Sequence, residues 1–190
     1  MSHFAPVALH QASRLINHGP TVLVTSAHGG RANVMAAAWS MPVEFTPPRI
    51  AVVIDKKTYT RELIAASGAF GICLPGAALA ALTFAVGSTS GYDEDKIARH
   101  GIQTRPGPVL GMPVIEQGCA AWLECRLIPE PHTQDAYDTC FAEVVAAAAD
   151  ARIFASGRWD YRDDNTELQT IHHLGAGNFV RAGGVVRGAA

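Results

Sequence analysis

The amino-acid sequence predicts a mainly β fold, in which antiparallel strands form a barrel flanked by a few helices. Short apolar runs separated by turn-forming residues predict many strands with short connections, which is typical of an antiparallel barrel. Between Trp122 and Pro129 the segment WLECRLIP alternates apolar and charged residues with the period of a half-buried strand. Few helical patterns interrupt these runs, so helices are expected to be a minority.

Length and composition favour one domain. The chain has 190 residues, of which 48% are hydrophobic, and a chain of this size buries a full core as one unit. We therefore expect a single domain over residues 1–190. The glycine-rich segment at residues 181–190 is expected to be a tail that is flexible or bound by a partner.

Charge and hydropathy patterns exclude several classes of partner. The net charge of -2 offers no basic stripe for nucleic acid, and no apolar run is long enough to cross a membrane. The N-terminus lacks the basic start and long apolar middle of a signal peptide. Cys73, Cys119, Cys125 and Cys140 form no C-x-x-C pair and are expected to be reduced thiols. The expectation is a cytoplasmic protein without a metal site.

The first half of the chain predicts a short amphipathic helix followed by strands. Leu9, Ala12, Leu15 and Ile16 recur at helical spacing, which places a helix at residues 8–17, packed on the sheet. Trp39 follows a run of small residues and is interpreted as a core side chain. Strands are predicted at residues 21–26, 36–41, 50–54 and 69–74, and helices at residues 61–67 and 77–86.

The second half of the chain is more plainly β. Pro129 and Pro131 mark a turn between two long strand patterns. Strands are predicted at residues 114–116, 119–128 and 139–147, and a short helix is predicted at residues 97–100.

The segment between Gly19 and Pro75 carries the main functional signal. After the Gly29-Gly30 turn, the run NVMAAA at residues 33–38 is made mostly of small side chains, so a planar ring could lie beside its backbone. The loop DKKTYTR at residues 55–61 opens into a helix, and its hydroxyls, cations and free helical N–H groups suit a dianionic phosphate. A phosphorylated cofactor with a flat aromatic ring would need these features, and the chemistry would then belong to the cofactor.

Both features also have a structural explanation that needs no ligand. Residues 33–38 could form an ordinary strand of small residues packed under a helix. In the loop, Thr58 or Thr60 could cap the helix while Lys56, Lys57 and Arg61 face solvent. Capping and phosphate binding are compatible, because the same helix start can do both.

Five segments taken in order resemble the flavin reductase-like, FMN-binding split-barrel proteins, and among them the flavoredoxin-type branch. They are NVMAAAW, PPRIAVVID, TYTRELI, FGICLP and SGYDEDK. Each segment is short, so the resemblance rests on their order and spacing; it covers residues 20–177, taken as the core of the domain. It implies a Greek-key antiparallel split barrel that binds FMN, with FAD as an alternative. It also implies a homodimer with the cofactor at the subunit interface, and electrons supplied by NAD(P)H or by a redox protein partner.

The resemblance also implies which residues contact the cofactor. Asn33, Val34, Met35, Ala36 and Ala37 would lay backbone groups along the flavin edge, where oriented amides stabilise the reduced ring. The phosphate loop would contribute Lys56, Thr58, Tyr59, Thr60 and Arg61. Cys73 stands where many members carry Asn, and its thiol would pack against the ring. Ser88, Ser90 and Lys96 belong to a loop near the flavin pocket, and His173 belongs to a C-terminal segment that could reach the cofactor of the same or the neighbouring subunit.

One departure from the family pattern bears on whether the protein uses NAD(P)H directly, and so distinguishes the functional hypotheses. Many members carry an Asp-His pair ahead of a central strand, where the histidine faces the nicotinamide, whereas this chain has Tyr137-Asp138-Thr139-Cys140 there. An FMN-binding oxidoreductase is the leading hypothesis, with its catalytic residues unassigned. A flavin-binding electron carrier without NAD(P)H turnover is the second. A dimeric structural or interaction barrel without cofactor is the third, because one fold hosts many functions.

Overall fold

A computed structural model describes residues 2–186 and 188 of the chain. The strands in this part are β1 (Phe4–Pro6), β2 (Val22–His28), β3 (Arg31–Ala37), β4 (Ser40–Phe45), β5 (Pro48–Val53), β6 (Ala69–Pro75), β7 (Arg105–Pro106), β8 (Pro113–Val114), β9 (Cys119–Ile128), β10 (Thr139–Asp150), β11 (Phe154–Ala155), β12 (Arg158–Trp159), β13 (Ile171–Gly175) and β14 (Asn178–Arg181). The α-helices are α1 (Ser13–Ile16), α2 (Tyr59–Ser67), α3 (Ala80–Ser88), α4 (Lys96–Arg99) and α5 (Pro131–Ala136). Short 3-10 helices span Leu9–Gln11, Ala77–Leu79 and Asp163–Leu168.

One antiparallel sheet forms the body of the protein, with strand order β3-β2-β6-β9-β10-β5-β4 and with β1 paired on β10. Its strands contribute side chains to a single central core, among them Val24, Ile50, Phe70, Leu123 and Val144. A sheet that encloses one core in this way is a barrel. The strand order begins at β3 and ends at β4, so the barrel is split between these two edges. The predicted antiparallel β architecture is confirmed.

A second apolar cluster covers the other face of β2 and its neighbours. It contains Leu23 of β2, Cys73 of β6 and Val86 of α3, whereas Val22 and Val24 belong to the central core. Both faces of β2 are therefore buried. This double burial explains why the sequence TVLV is continuously apolar instead of alternating.

Most predicted elements are present with shifted ends. The bounds predicted for the strand at residues 119–128 match β9, and the strand predicted at residues 139–147 is the longer β10. The helix predicted at residues 61–67 begins earlier, at Tyr59, because Thr58 caps it. The helices predicted at residues 8–17 and 77–86 each consist of a 3-10 turn followed by an α-helix, α1 and α3.

The strand predicted at residues 36–41 is wrong, and so is the burial predicted for Trp39. β3 ends at Ala37 and β4 begins at Ser40, so the chain bends between the two edges of the split. Trp39 lies in this bend and is 74% exposed, because neither apolar cluster extends over it.

The described chain ends in the β13–β14 hairpin and a segment without regular structure. Residues 182–186 and 188 form neither helix nor strand. Residues 187, 189 and 190, which complete the tail predicted at residues 181–190, lie outside the described residues. Within the described ranges, no helix is both long enough and apolar enough to cross a membrane.

Candidate functional site

A groove runs between the edge strand β3 and helix α3, and it consists of two adjoining cavities that share Gly87 and Ser88. The loop cavity has a volume of about 280 Å³ and is lined by Asn33, Met35, Lys57, Thr58, Tyr59, Thr60, Val86, Gly87, Ser88, Thr89, Ser90, Gly91 and Lys96. The hairpin cavity has a volume of about 180 Å³ and is lined by Thr21, Ala36, Ala37, Ala38, Thr83, Phe84, Gly87, Ser88, His173 and Phe179. The groove therefore brings together the run of small residues and the loop that opens into α2.

Two glycines lie where the walls of the groove approach each other. A Cβ atom added at Gly87 would lie 3.1 Å from the Cβ atom of Ala36, at the junction of the two cavities. A Cβ atom added at Gly91 would lie 2.7 Å from both amide atoms of Asn33 and from a ring carbon of Tyr59. Any side chain at position 87 would narrow the junction, and only glycine fits at position 91 without displacing its neighbours.

The start of α2 forms one end of the loop cavity. Thr58 has an extended backbone, and its Oγ1 accepts a hydrogen bond from the Arg61 N–H at 3.2 Å, so the predicted helix cap is confirmed. The Oγ1 atom of Thr60 accepts a hydrogen bond of 2.8 Å from the Asn33 side-chain amide. The backbone N–H groups of Tyr59 and Thr60 lie in the first turn, where a helix has no carbonyl partner to offer. These groups can serve an anion in the cavity.

The structure does not place Lys56 and Arg61, two of the cations predicted to contact a phosphate, at the groove. The Lys56 ammonium donates to the backbone carbonyl of Asp135 and lies 3.7 Å from the Asp138 carboxylate. The buried Arg61 guanidinium lies 2.6 Å from Cys140 Sγ and donates to Gln134 Oε1 at 3.2 Å. Both side chains are drawn away because they tie the loop to α5 and the start of β10.

Lysines 57 and 96 are the cations that line the loop cavity. Lys96 is 2% exposed, and its ammonium donates to the carbonyls of Val86 and Thr89 at 2.9 and 3.1 Å. An ammonium carries three N–H groups, so one remains for a ligand. Burial lowers the pKa of Lys96 to about 8, which leaves the side chain mostly charged at neutral pH.

Strand β3 contributes several side chains and an open backbone edge to the groove. Asn33 and Met35 line the loop cavity, and Ala36 and Ala37 line the hairpin cavity. Val34 lies on the opposite face of the strand from Asn33 and Met35 and is fully buried in the second apolar cluster. Within the described residues, β3 pairs only with β2, so its other edge has backbone N–H and C=O groups free for a ligand.

The structure also places Cys73 away from the groove. Its side chain is fully buried in the second apolar cluster, and the Ile115 N–H donates to its sulfur at 3.3 Å. Burial raises the pKa of the thiol to about 12. The structure therefore does not bring this thiol, expected from the family pattern to contact a ring, to the groove, because the side chain faces the layer that covers β6.

The β13–β14 hairpin forms the far wall of the hairpin cavity. The backbone N–H of His173 donates to Thr21 Oγ1 at 2.9 Å, and its ring lies 5.2 Å from the ring of Phe179. His172, the preceding residue, faces away, and its Nδ1 atom lies 2.9 Å from the carbonyl of Gly19. The structure thus brings His173, but not His172, to the groove.

Most of the predicted contact residues line the groove, and several lining residues were missed. Those brought together are Asn33, Met35, Ala36, Ala37, Thr58, Tyr59, Thr60, Ser88, Ser90, Lys96 and His173; the side chains placed elsewhere are those of Lys56, Arg61 and Cys73. The Val34 side chain also turns away, but its predicted contact is through the backbone of β3, which borders the groove. The missed residues include Lys57, Phe84, Gly87, Gly91 and Phe179. Glycines on both sides of STS at residues 88–90 are a sequence pattern from which Gly87 and Gly91 could have been predicted to lie at the site. No local sequence pattern distinguishes Phe84 or Phe179 from ordinary core residues.

Comparison with known proteins finds similarity to flavin reductase-like proteins in both sequence and structure. A sequence profile described as "Flavin reductase like domain" matches residues 14–163. The uncharacterized protein YddH of Escherichia coli (strain K12) is 60% identical over 185 residues, which is 96% of this chain and 97% of that protein. An FMN-binding domain of a flavin reductases-like enzyme from Shewanella baltica OS155 has a TM-score of 0.95 and 41% identity, covering 99% of this chain and 98% of that one. Flavoredoxin of Desulfovibrio vulgaris (Miyazaki F) has a TM-score of 0.75 and 26% identity, with 90% of each chain covered. These similarities confirm the predicted split-barrel fold.

Proposed function

Because this chain belongs to the flavin reductase-like domain family, we propose that it binds FMN in the groove and transfers electrons through the bound flavin. The observation that carries the proposal is that the two ends of the groove differ in chemical character. One end has a helix start and two lysines, and the other end is apolar and bordered by a strand of small residues. The two ends of FMN differ in the same way, because it has a charged phosphate at one end and a flat ring at the other.

The loop cavity suits the phosphate of FMN. The first-turn N–H groups of Tyr59 and Thr60 are oriented donors at the positive end of a helix dipole. Lys57 and the third N–H of Lys96 add positive charge. Charge-assisted hydrogen bonds of this kind are the strong ones, so the phosphate would contribute much of the affinity.

The backbone edge of β3 and the hairpin cavity suit the ring. Ala36 and Ala37 leave the backbone accessible, and Phe84, His173 and Phe179 form an aromatic wall. A bound flavin supplies redox chemistry, because it accepts electrons as a hydride or one at a time. The chain itself would hold the ring, present backbone donors where negative charge develops on reduction, and limit the access of water.

Two electron donors are compatible with this site, and the residues at the start of β10 bear on the choice between them. The family histidine that faces the nicotinamide has no counterpart among residues 137–140. Tyr137 is 64% exposed, and Cys140 is buried beneath Arg61. We therefore keep NAD(P)H as one candidate donor for an oxidoreductase, and a redox protein as the donor for an electron carrier that lacks NAD(P)H turnover.

A homodimer is part of the proposal, and strand β4 is the candidate interface. Trp39, Met41, Val43 and Phe45 expose a row of large apolar side chains at this edge of the sheet. Such a row is typical of a surface that pairs with another chain. Trp39 directly follows Ala38, which lines the hairpin cavity, so a second copy on β4 would border the ring end of the groove. If the protein forms this dimer but binds no cofactor, the remaining hypothesis is a dimeric structural or interaction barrel.

A cytoplasmic location also belongs to the proposal. All four cysteines are buried and unpaired, and free thiols are typical of proteins in a reducing compartment. Recovery of the protein in the cytoplasmic fraction of its cell would agree with this location, and recovery from the periplasm or medium would contradict it.

FMN loading is the first test. Purified protein mixed with FMN should become yellow and should quench the flavin fluorescence with saturation. A Lys96→Met variant is expected to bind more weakly, because it loses a buried charge at the phosphate end. A colourless protein that leaves FMN fluorescence unchanged would contradict the proposed function and favour the interaction barrel.

Anaerobic titration of the FMN-loaded protein then shows which of the two proposed donors reduces the flavin. Stoichiometric bleaching of the flavin absorbance by NADH or NADPH would identify a pyridine-nucleotide-dependent oxidoreductase. A flavin that stays yellow with both nucleotides, but bleaches when dithionite is added, would identify an electron carrier reduced by another protein. The dithionite step is the control that the bound flavin is reducible.

A further inference from the structure

A third cavity lies outside the groove, between helix α1 and the β11–β12 hairpin. Its volume is about 660 Å³, which is larger than that of either cavity of the groove. We call it the arginine cavity. It shares no lining residue with the groove, so it is a separate candidate binding site. Among its lining residues are Arg14, His18, Gly157, Arg158, Trp159 and Val185.

The turn of the β11–β12 hairpin brings two arginines to this cavity. Ser156 and Gly157 form the turn with left-handed backbones, at φ values of 52° and 71°. The Arg14 guanidinium donates to the Gly157 carbonyl at 3.0 Å, and a Cβ atom added at Gly157 would lie 2.7 Å from the same nitrogen. The left-handed φ and the close approach both favour glycine there. The turn is thereby held against α1, and Arg158, the residue after it, lines the same cavity as Arg14.

The two arginines have positive charge that no neighbour neutralises. None of the described residues that line the cavity is acidic. Within the described part of the chain, Arg158 takes part in no ion pair, and the Arg14 side chain donates only to the Gly157 carbonyl. Like charges on one cavity repel each other, and most of their N–H groups lack a protein acceptor. A carboxylate would accept these hydrogen bonds and remove the repulsion, because its two oxygens match the fork of a guanidinium.

His18 adds a polar atom without adding charge. Its Nε2 atom lies 2.8 Å from Thr170 Oγ1 and 3.3 Å from the Tyr161 hydroxyl. Its Nδ1 atom is buried and has no hydrogen-bond partner among the described residues. A buried polar atom of this kind costs free energy until a partner is supplied, and His18 lines the arginine cavity. Burial lowers the pKa of His18 to about 4, so at neutral pH the ring is neutral and the arginines supply the charge.

The same cavity has an apolar wall. The ring of the half-buried Trp159 stacks on Tyr161 at a centroid distance of 5.3 Å, and its Nε1 atom already donates to the Arg14 carbonyl at 2.9 Å. Trp159 therefore offers ring carbons to a ligand and no hydrogen-bond donor. Val185 adds aliphatic surface. A flat apolar body suits this wall, since aromatic rings pack favourably against each other.

We propose that the arginine cavity is a second ligand site, which binds a small aromatic carboxylate. The carboxylate lies between Arg14 and Arg158, and the ring lies against Trp159. This site does not depend on the proposed FMN binding, because the groove and the arginine cavity are lined by different residues.

Calorimetric titration with benzoate tests the proposal. Benzamide has the same ring without the charge, and acetate has the charge without the ring, so the wild type should bind benzoate at least about tenfold more tightly than either. Arg158→Gln removes an exposed side chain and should remain folded. It should bind benzoate about tenfold more weakly, the size of one hydrogen bond between charged groups. Arg126→Gln makes the same change at an exposed position on β9 and should bind benzoate like the wild type.

Repeating the titration in the presence of FMN distinguishes the arginine cavity from the groove. Benzoate affinity should be the same with and without FMN. Loss of benzoate binding when FMN is added would place benzoate in the groove and overturn the inference. A wild type that ignores benzoate, or binds benzamide equally well, would also overturn it, as would an unchanged affinity in Arg158→Gln. None of these results contradicts the proposed function, which is tested by FMN loading.

Discussion

At the scale of single residues, Gly87 decides whether the two cavities form one groove. Gly87→Ala would place a methyl group about 3.1 Å from Ala36 at the junction, and overpacking of this kind costs about 1 kcal/mol or more. Alanine also favours a helix over glycine by about 1 kcal/mol, so the variant should remain folded. We expect weaker FMN binding at nearly unchanged stability, measured by fluorescence titration and urea unfolding. Gly183→Ala, where a methyl group meets open space, is the matched control; an unaltered FMN affinity in Gly87→Ala would mean that the cofactor lies elsewhere.

The charge on Lys96 should make FMN binding depend on pH. Burial lowers the pKa of this side chain to about 8, so the free protein loses the charge as the pH rises through that value. The FMN phosphate is dianionic throughout, because its second pKa is about 6. FMN affinity should therefore fall between pH 7 and pH 9, as measured by titrations at several pH values. Riboflavin binding should not fall in the same range, and parallel curves for the two flavins would show that Lys96 does not serve the phosphate.

At the scale of elements, the β4 edge should control assembly. Met41 is 57% exposed in the apolar row, and a charge placed there would be buried without a partner in a dimer. Met41→Glu should therefore convert the proposed dimer to a monomer in light scattering at micromolar concentration. Met41→Leu keeps the apolar surface and should stay dimeric. A monomeric wild type, or a dimer that tolerates Met41→Glu, would place the interface on another surface.

At the scale of the whole molecule, His18 should make stability sensitive to acid. His18 follows α1, and its Nε2 atom lies 2.8 Å from Thr170 Oγ1 and 3.3 Å from the Tyr161 hydroxyl. Burial, followed by repulsion from His172, lowers its pKa to about 4. His18 lines the arginine cavity together with Arg14 and Arg158, and among the described residues that line it these two arginines are the other charged groups. The histidine thus joins the N-terminal helix to the C-terminal part of the chain in its neutral form.

The sign of this effect follows from proton binding in the two states. Between pH 6.5 and pH 4 the unfolded chain binds a proton at His18 that the folded chain does not, so the free energy of unfolding falls as the pH falls. Urea unfolding at pH 7.5 and pH 5 should show this loss. It should be smaller in His18→Gln, and unchanged in His10→Gln, where the side chain is exposed. An equal loss in all three proteins would assign the acid sensitivity to other groups.

The sequence alone determined the features that depend on neighbouring residues. The alternation in residues 122–129 identified β9. The hydroxyls of Thr58 and Thr60 ahead of an apolar helical pattern identified a helix cap in this loop, although the helix was predicted to begin two residues later than α2 does. The order of short segments from Asn33 to Lys96 identified the family, which the comparisons confirm. Backbone periodicity and capping are local properties, so they can be predicted without knowing what packs against them.

Only the tertiary structure decided which side chains meet in the groove. Lys56 and Arg61 carry the right charge in the right loop, but distant partners on α5 and β10 turn them away. Lys96, far along the chain, reaches the groove because α4 packs beside the end of α3. Trp39 is exposed because the sheet is split beside it. The direction of a side chain depends on contacts between residues remote in sequence, and the local pattern does not encode those contacts.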